Sequence, residues 1–500
     1  MKLKELLHSI ADSHVVGSRE IDVTGIAYDS RQAFPGCLFC CIKGFKADGH
    51  DFIADALSRG AKTVCLEKPM ELPDGVVKVV VPHSRRALAL MSAEFYGHPS
   101  RKLKIIGVTG TNGKTTTTSL IEMMLTACGV KTGLIGTLFT KIGSLKTTSK
   151  VTTPESLDLQ ATLASMVDHG CECAVFEVSS HALELHRVEG CVFDRAVFTN
   201  LTQDHLDFHR NLEEYFQAKL KIFTALDGRE KDQAAILNAD DPSSKRIAEH
   251  LSVPALTYGV RDKKALYHAR DPQVTFEGLS YQLMAPEGII PVTIPVSGGF
   301  NVSNSLAAIA AASSLGVPPA ELASAAREFH GVKGRFELIR AGQEFAVIVD
   351  YAHTPDGLEN VLTTARQITS GSLITVFGCG GDRDRTKRPL MGGIAATLSD
   401  RIIITSDNPR TEEPGMIIAD IEEGVRLAGK SYEQEADRRK AIFKALGMAR
   451  RGDTVVIAGK GHENYQIFRD RTIHFDDGEV VHEFFKELVS RDEKGEQCAK

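Results

Sequence analysis

Residues 105–116 read IIGVTGTNGKTT, an apolar run that enters a glycine-rich turn and then meets a Lys-Thr pair where a helix can begin. Gly107, Gly110 and Gly113 allow a tight turn with N–H groups aimed inward, across Thr111 and Asn112. Lys114 supplies a cation, and the hydroxyl of Thr115 or Thr116 can hold Mg²⁺. That chemistry is a phosphate cradle, and ATP is its expected ligand. The cradle is a variant, because Val108 stands where the general phosphate loop has its first glycine.

Other chemically capable residues also follow apolar runs. CAVFEVSSH places Glu177 at a strand exit, and TNLTQDHLDFH places Asp204, His205, Asp207 and His209 at another. Polar strand exits are often plain solvated turns. Beside a phosphate cradle, carboxylate and imidazole instead suit Mg²⁺ held with a triphosphate. Lys219 lies on the amphipathic EEYFQAKLKIF, and patterning alone gives it only a solvated face. Asn301 and Asn304 in GGFNVSNSLAA open a helix, so they either cap it or touch a base or ribose.

In the last third, His353 in DYAHTPDG, Arg383 in GGDRDRTKRP, the run Asp407, Asn408, Pro409, Arg410, and Gly459 to Glu463 in GKGHE form one set. Two arginines, carboxylates and glycine-exposed backbone suit a ligand carrying both carboxylates and amines, since a guanidinium grips a carboxylate as a fork. An exposed ion-pair network is the alternative.

The elements that must position these groups follow from periodicity. Behind the cradle, Leu120, Ile121, Met124, Leu125 and Cys128 share one helical face, and Gly129 can end that helix. Residues 1–100 carry strand patterns in CLFCCIKG, KTVCLE and VVKVVVP and helical patterns in FIADALSRGA and SRRALALMSAEFYG, and GHPSRKLK reads as a linker. Residues 101–333 alternate strand and helix around the cradle, the sign of a parallel sheet with crossover helices. Residues 265–298 are rich in β-branched residues and turns and predict an antiparallel edge. Residues 334–500 alternate again as a doubly wound, Rossmann-like unit, whose four constellations should meet beyond the carboxyl ends of its strands. The expected class is α/β in three domains.

Composition agrees and excludes. Five hundred residues suit about three domains. A net charge of −6 without a basic arm argues against a nucleic-acid partner. No apolar run approaches the roughly 18 residues of a membrane span, and no leader segment is evident, so a cytoplasmic location is expected; a monomer is expected as well. The ten cysteines are scattered through apolar stretches as reduced core thiols, and Cys37 and Cys40 form a lone CxxC without partners for a metal.

Taken in order, GTNGKTT, EVSSH, TNLTQDHLDFH, YFQAK, FNVSN, GVKGRFE, DYAHTPDGLE, GCGGDRDRTKRP, DNPR and GKGHE resemble the Mur ligase family, the ATP-dependent amide-forming enzymes of bacterial cell-wall precursor assembly. The resemblance spans almost the whole chain, and DNPR resembles the branch that adds meso-diaminopimelate rather than lysine. It implies that ATP phosphorylates the D-glutamate γ-carboxylate of UDP-MurNAc-L-Ala-D-Glu and that diaminopimelate then displaces phosphate. It also implies that Lys114 and Thr115 cradle ATP, that Thr115, Glu177 and His205 hold Mg²⁺, and that Lys219 is carbamylated and joins a second metal site. Asn301, Asn304, Arg335 and Asp350 would surround the nucleotide. Ser30, Lys46, Thr152, Thr153, Ser179 and Arg187 would hold the uridine-linked acceptor, while Arg383, Asp407, Asn408, Pro409, Arg410, Gly459 and Glu463 would hold diaminopimelate. One departure is Leu185, where some relatives carry a polar acceptor contact. A folylpolyglutamate-type ligase shares the cradle, but the first domain and DNPR argue against it. A dinucleotide oxidoreductase lacks its GxGxxG spacing, and a regulatory NTPase module would turn over ATP without an amino-acid acceptor.

Overall fold

A computed structural model describes residues 1–44 and 47–498, with side chains to residue 488. The chain is α/β and builds three main sheets. The first has the order His14–Val16, Val77–Val80, Thr63–Leu66, Leu38–Cys40, Ile26–Ala27, all parallel except the first strand. Alternate residues of one strand serve opposite cores, as period-two geometry requires. Leu38 and Cys40 pack with Leu88 and Met91 of the helix Ser84–Phe95, whereas Phe39 packs with Ile53 and Ala56 of Ile53–Ser58. GHPSRKLK is not an open linker. Proline at the first helical position supports a helical turn, Pro99–Lys102, after a left-handed His98.

The second sheet has eleven strands with Lys104–Thr109 at its centre, between Cys173–Glu177 and Arg195–Phe198, all parallel. Ile106 and Val108 face a core shared with the helices Lys114–Ala127 and Phe300–Ser313, while Ile105 faces Phe216 and Phe223 of Leu212–Thr224. Tyr267–Val274, Leu279–Ala285 and Gly288–Ile294 are antiparallel to one another, as the β-branched pattern predicts, and they extend this same sheet through Ala255–Gly259. The opposite edge is a hairpin, Phe139–Ile142 with Leu145–Thr148, that the sequence reading does not anticipate.

The third sheet runs Glu337–Leu338, Ala346–Asp350, Thr454–Ala458, Leu373–Phe377, Arg401–Thr405, Glu433–Glu435, parallel from the second strand on. The strands that precede His353, Arg383, Asp407 and Gly459 are therefore four parallel neighbours, and their carboxyl ends lie along one rim. Among the described residues no helix is long and apolar enough to cross a membrane.

Candidate functional site

The cradle loop leaves Lys104–Thr109 and closes with two glycines in the left-handed half of backbone space, Gly110 at φ 146 and Gly113 at φ 85. A Cβ at Gly110 would collide with Thr199 Oγ1, and one at Gly113 with Asn304 Oδ1, so side chains are excluded at both. Gly107 has a different role from the one expected of it. It lies inside the strand, and a Cβ there would stand 2.6 Å from the Phe193 ring and 2.8 Å from Ile222, so it admits packing rather than a turn. The N–H groups of Thr111 and Asn112 donate to Asn200 at 2.9 Å each, so the loop is braced internally. The first turn of Lys114–Ala127 has no side-chain cap, so its N–H groups are the ones that could meet an anion.

Lys114 Nζ donates to Gly110 O at 2.9 Å and Thr111 O at 2.8 Å. Thr115 Oγ1 donates to Glu177 Oε2 at 3.0 Å. The N–H of Thr137, a residue without any earlier motif signal, holds Glu177 Oε1 at 2.7 Å. His205 lines the same cavity, next to Asp204 at 3.4 Å, with its backbone left-handed at φ 55. Burial pushes the His205 pKa well down, which leaves the ring neutral with a lone pair to offer. Asp207 is exposed and takes no part, and His209 bonds Ser180 Oγ at 3.0 Å. Among the described residues no three His, Cys, Asp or Glu side chains converge as a metal cluster. A hydroxyl, one carboxylate and a neutral imidazole still fit Mg²⁺, which is commonly held by one or two carboxylates together with phosphates.

Lys219 is not on a solvated face. It is 1 % exposed, its Nζ donates to Gly110 O at 2.9 Å, and it lies 4.2 Å from the Tyr215 ring centre. Burial, and then the neighbouring Lys114, hold its pKa well below the ordinary lysine range.

A cavity of about 460 Å³ gathers Thr111 to Thr116, Glu177, His205 and Lys219 with Thr152, Thr153, Ser179, Arg187, Arg335, His353 and Arg383. Within it Arg187 Nη1 donates to Thr153 O at 3.1 Å, and Thr153 Oγ1 donates to Glu177 O at 2.8 Å. Ser30 is not in this lining. It is buried at the start of a 3-10 turn and bonded to Asp55. Lys46 lies outside the described residues. Leu185 caps the short helix Ser180–Glu184, half-buried and outside that cavity lining.

A second cavity of about 130 Å³ is bounded by Gly113, Thr116, Asn304, Arg335, Asp350 and Asn360. Asn304 faces it, while Asn301 stands behind: Asn304 Nδ2 donates to Asn301 Oδ1 at 2.9 Å, and Asn301 Nδ2 donates to Ser297 O at 2.7 Å. Neither side chain caps the helix. Arg335 stacks on Tyr351, 4.5 Å from the ring centre, and its Nη2 reaches Thr115 Oγ1 at 3.3 Å. Asp350 accepts the N–H groups of Phe336 at 2.6 Å and Ala352 at 2.7 Å, and burial pushes its pKa up to about 6.

At the third sheet's rim, Asn408 Nδ2 donates to Glu463 Oε2 at 2.7 Å. The side chain of Arg410 turns back, Nη1 donating to Gly381 O at 2.8 Å, with its backbone left-handed at φ 53. The strand exits approach so closely that a Cβ on Gly459 would stand 2.6 Å from Asp407 Oδ2. Arg383 lines the phosphate cavity, whereas Glu463 lines a larger cleft of about 1080 Å³. Asp407 to Arg410 line neither, and the two spaces share Thr137, Val151, Thr152 and Tyr351. Two residues without an individual role in the motifs are Lys460, buried between Asn408 and Glu463, and Arg438, whose fork on Asp477 braces Ala458 O at 3.0 Å. Lys460 lies inside the GKGHE run, and that run is the signal the sequence offers for it.

Three stretches of the sequence match described protein families: residues 22–96 the Mur ligase family catalytic domain, 108–312 the Mur ligase middle domain, and 334–461 the Mur ligase glutamate ligase domain. A Bacillus licheniformis protein named UDP-N-acetylmuramoyl-L-alanyl-D-glutamate--2,6-diaminopimelate ligase is 47 % identical, across 98 % of this chain and all of its own. A solved structure of a ligase of the same name superposes with a TM-score of 0.70 at 34 % identity, covering 98 % of this chain and 99 % of that one. A Mycobacterium tuberculosis folylpolyglutamate synthase, solved with ADP and AMPPCP, reaches 0.61 at 18 % identity over 75 % of this chain and 92 % of its own, a likeness of fold alone.

Proposed function

The chain belongs to the Mur ligase family, and from that premise we propose that it joins 2,6-diaminopimelate to UDP-N-acetylmuramoyl-L-alanyl-D-glutamate. It is an ATP-dependent amide ligase of peptidoglycan precursor synthesis. The observation that supports the reading is a pair of adjoining cavities that share Thr137, Val151, Thr152 and Tyr351: one gathers the phosphate-loop residues, the pair Thr115 and Glu177, and Arg383, and the other reaches Glu463.

In this reading the glutamate γ-carboxylate attacks the γ-phosphorus of ATP, ADP leaves, and an acyl phosphate forms. The free amine of diaminopimelate then adds to the acyl carbon, and phosphate departs as the amide forms. Lys114 and the first turn of its helix hold the phosphates. Thr115, Glu177 and His205 would hold Mg²⁺, which when bound neutralises phosphate charge. The neutral amine of Lys219 would add CO₂ with loss of a proton, giving an anionic carbamate that offers oxygen to a second cation. Asn304, Arg335 and Asp350 would border the nucleotide, with Asn301 as support. Thr152, Thr153, Ser179 and Arg187 would hold the acceptor peptide, with Ser30 and Lys46 toward its uridine end. Arg383, Asp407 to Arg410, Gly459 and Glu463 would take the amino acid, its distal carboxylate on Arg410 and its distal ammonium on Glu463. These roles fall in segments 1–100, 101–333 and 334–500, taken as acceptor, nucleotide and amino-acid domains. Closure of the last on the others would complete the site.

The test is phosphate release with the UDP-MurNAc dipeptide and a panel of diamino acids. Phosphate release that needs both the dipeptide and diaminopimelate supports the reading. Release with a folate acceptor instead, or without any acceptor, overturns it.

A further inference from the structure

Lys460 is 0 % exposed, yet it forms no part of the chemistry above. Its Nζ donates to Asn408 Oδ1 at 3.2 Å and to Glu463 Oε2 at 3.0 Å, and it lies 5.5 Å from the Tyr465 ring centre. Burying a lysine is unfavourable unless its hydrogen bonds are met, and an apolar chain of similar volume could fill such a space at less cost. A role in orientation accounts for it better than a role in packing.

The orientation can be read from the donors. Asn408 Oδ1 accepts from Lys460 and from the N–H of Ile467 at 2.9 Å. Two donors on that oxygen fix which way the amide lies and so aim Nδ2 at Glu463 Oε2, at 2.7 Å. Glu463 Oε2 thus takes two donors from within the protein. Among the described residues Oε1 takes only the Tyr465 hydroxyl, at 3.4 Å, and remains for a ligand on the wide cleft.

We propose that Lys460 is a positioning residue for amino-acid selection: by locking Asn408 and one oxygen of Glu463, it presents the other oxygen to the distal ammonium of diaminopimelate. The inference rests on Glu463 receiving that ammonium, and the experiment separates the two ideas. Wild type, Glu463→Gln, Lys460→Met and Lys460→Gln are assayed as full-length proteins by phosphate release, with ATP and acceptor saturating. The amino acids are diaminopimelate and 2-aminopimelate, which keeps the distal carboxylate and lacks the distal amine. The readout is the ratio of kcat/KM for the two.

Wild type should favour diaminopimelate, and Glu463→Gln should collapse the preference. Lys460→Met should lower the ratio about tenfold, as loss of one charge-assisted hydrogen bond would, through KM for diaminopimelate and with KM for ATP unchanged. Lys460→Gln should lower it as well, and it stands in if the Met protein does not fold. An equal loss on both amino acids in the Lys460 variants makes Lys460 merely structural and overturns the proposal. An unchanged ratio in those variants beside a collapsed one in Glu463→Gln overturns it while leaving the reading of Glu463 intact. An unchanged ratio in Glu463→Gln overturns the reading of Glu463 and the proposal with it.

Discussion

Lys114 and Lys219 both donate to the one carbonyl oxygen of Gly110, each at 2.9 Å. A second ammonium so close to that of Lys114 is disfavoured on the buried Lys219. The arrangement favours a neutral Lys219, and only a neutral amine can take up CO₂. Lys219→Ala should therefore be inactive and regain part of its rate when acetate is added to occupy the emptied position; full activity without acetate removes Lys219 from the reaction. Lys114→Ala should abolish product formation while the acceptor still binds, measured by calorimetry with the UDP-MurNAc dipeptide; a near-normal rate contradicts the cradle. At Arg410 the geometry tempers what sequence alone suggests. Its Nη1 already bonds Gly381 O, so an amino acid lacking the distal carboxylate would not leave the guanidinium without a partner. The discrimination it supplies is then one charge-assisted pairing, about 1.5–3 kcal/mol or roughly ten- to a hundredfold. Arg410→Ala should lower kcat/KM for diaminopimelate by that factor and leave KM for ATP unchanged.

At the scale of elements, the helices Lys387–Leu398 and Pro414–Leu427 hold the arginine-rich loop against the rim. They approach so closely that a Cβ on Gly424 would collide with Pro389 O, and one on Gly392 with Ile421 O. Gly424→Ala should thus cost about 1–3 kcal/mol by overpacking, read as a drop in Tm. The fully buried Arg388 ties the same pair, forking onto Glu412 at 2.8 and 2.9 Å and reaching Asp420 at 2.8 Å. That fork lowers the Glu412 pKa to about 2, against an ordinary 4.5. A depressed carboxylate stabilises the fold above its unfolded pKa and ceases to as the pH falls through its folded one. Glu412→Gln should accordingly lower Tm at pH 7, and the gap to wild type should close between about pH 4.5 and 2; a pH-independent gap contradicts the fork. The strands behind the site were readable because their apolar alternation and runs are strong, as in AVIVD and TVVIA. The hairpin of Phe139–Thr148 was not, because its Lys, Thr and Ser residues lie half-buried or exposed and carry no apolar period. Lys219 was misjudged for a related reason: helical periodicity shows which face is apolar, but not that a lysine beside it reaches inward under the next loop.

Over the whole molecule, the phosphate loop is tied to the third sheet's segment. Asn112 Nδ2 donates to Asp356 Oδ2 at 2.6 Å, Thr202 Oγ1 to the same oxygen at 3.2 Å, and Arg335 reaches Thr115. Gly334 and Gly461 interlock so tightly that a Cβ on Gly461 would stand 2.6 Å from Gly334 O. Asp356→Ala should raise KM for ATP about tenfold by freeing Asn112, while KM for diaminopimelate changes little; equal effects on both would make the contact a general brace. Such ties join residues up to 244 positions apart, and no local pattern announces them. The motifs name the chemistry of each wall, and only the fold shows that Arg383 lines the cavity of the glycine-rich loop while Glu463 lines the wider cleft. The proposed function has these walls serve one amide-forming reaction with diaminopimelate as the incoming amine. Its most direct test is kcat/KM of the wild-type protein for diaminopimelate and for lysine, with ATP and the UDP-MurNAc dipeptide saturating. Diaminopimelate should be favoured at least tenfold, the lower bound of the Arg410 pairing, and equal use of the two, or a preference for lysine, would contradict the account.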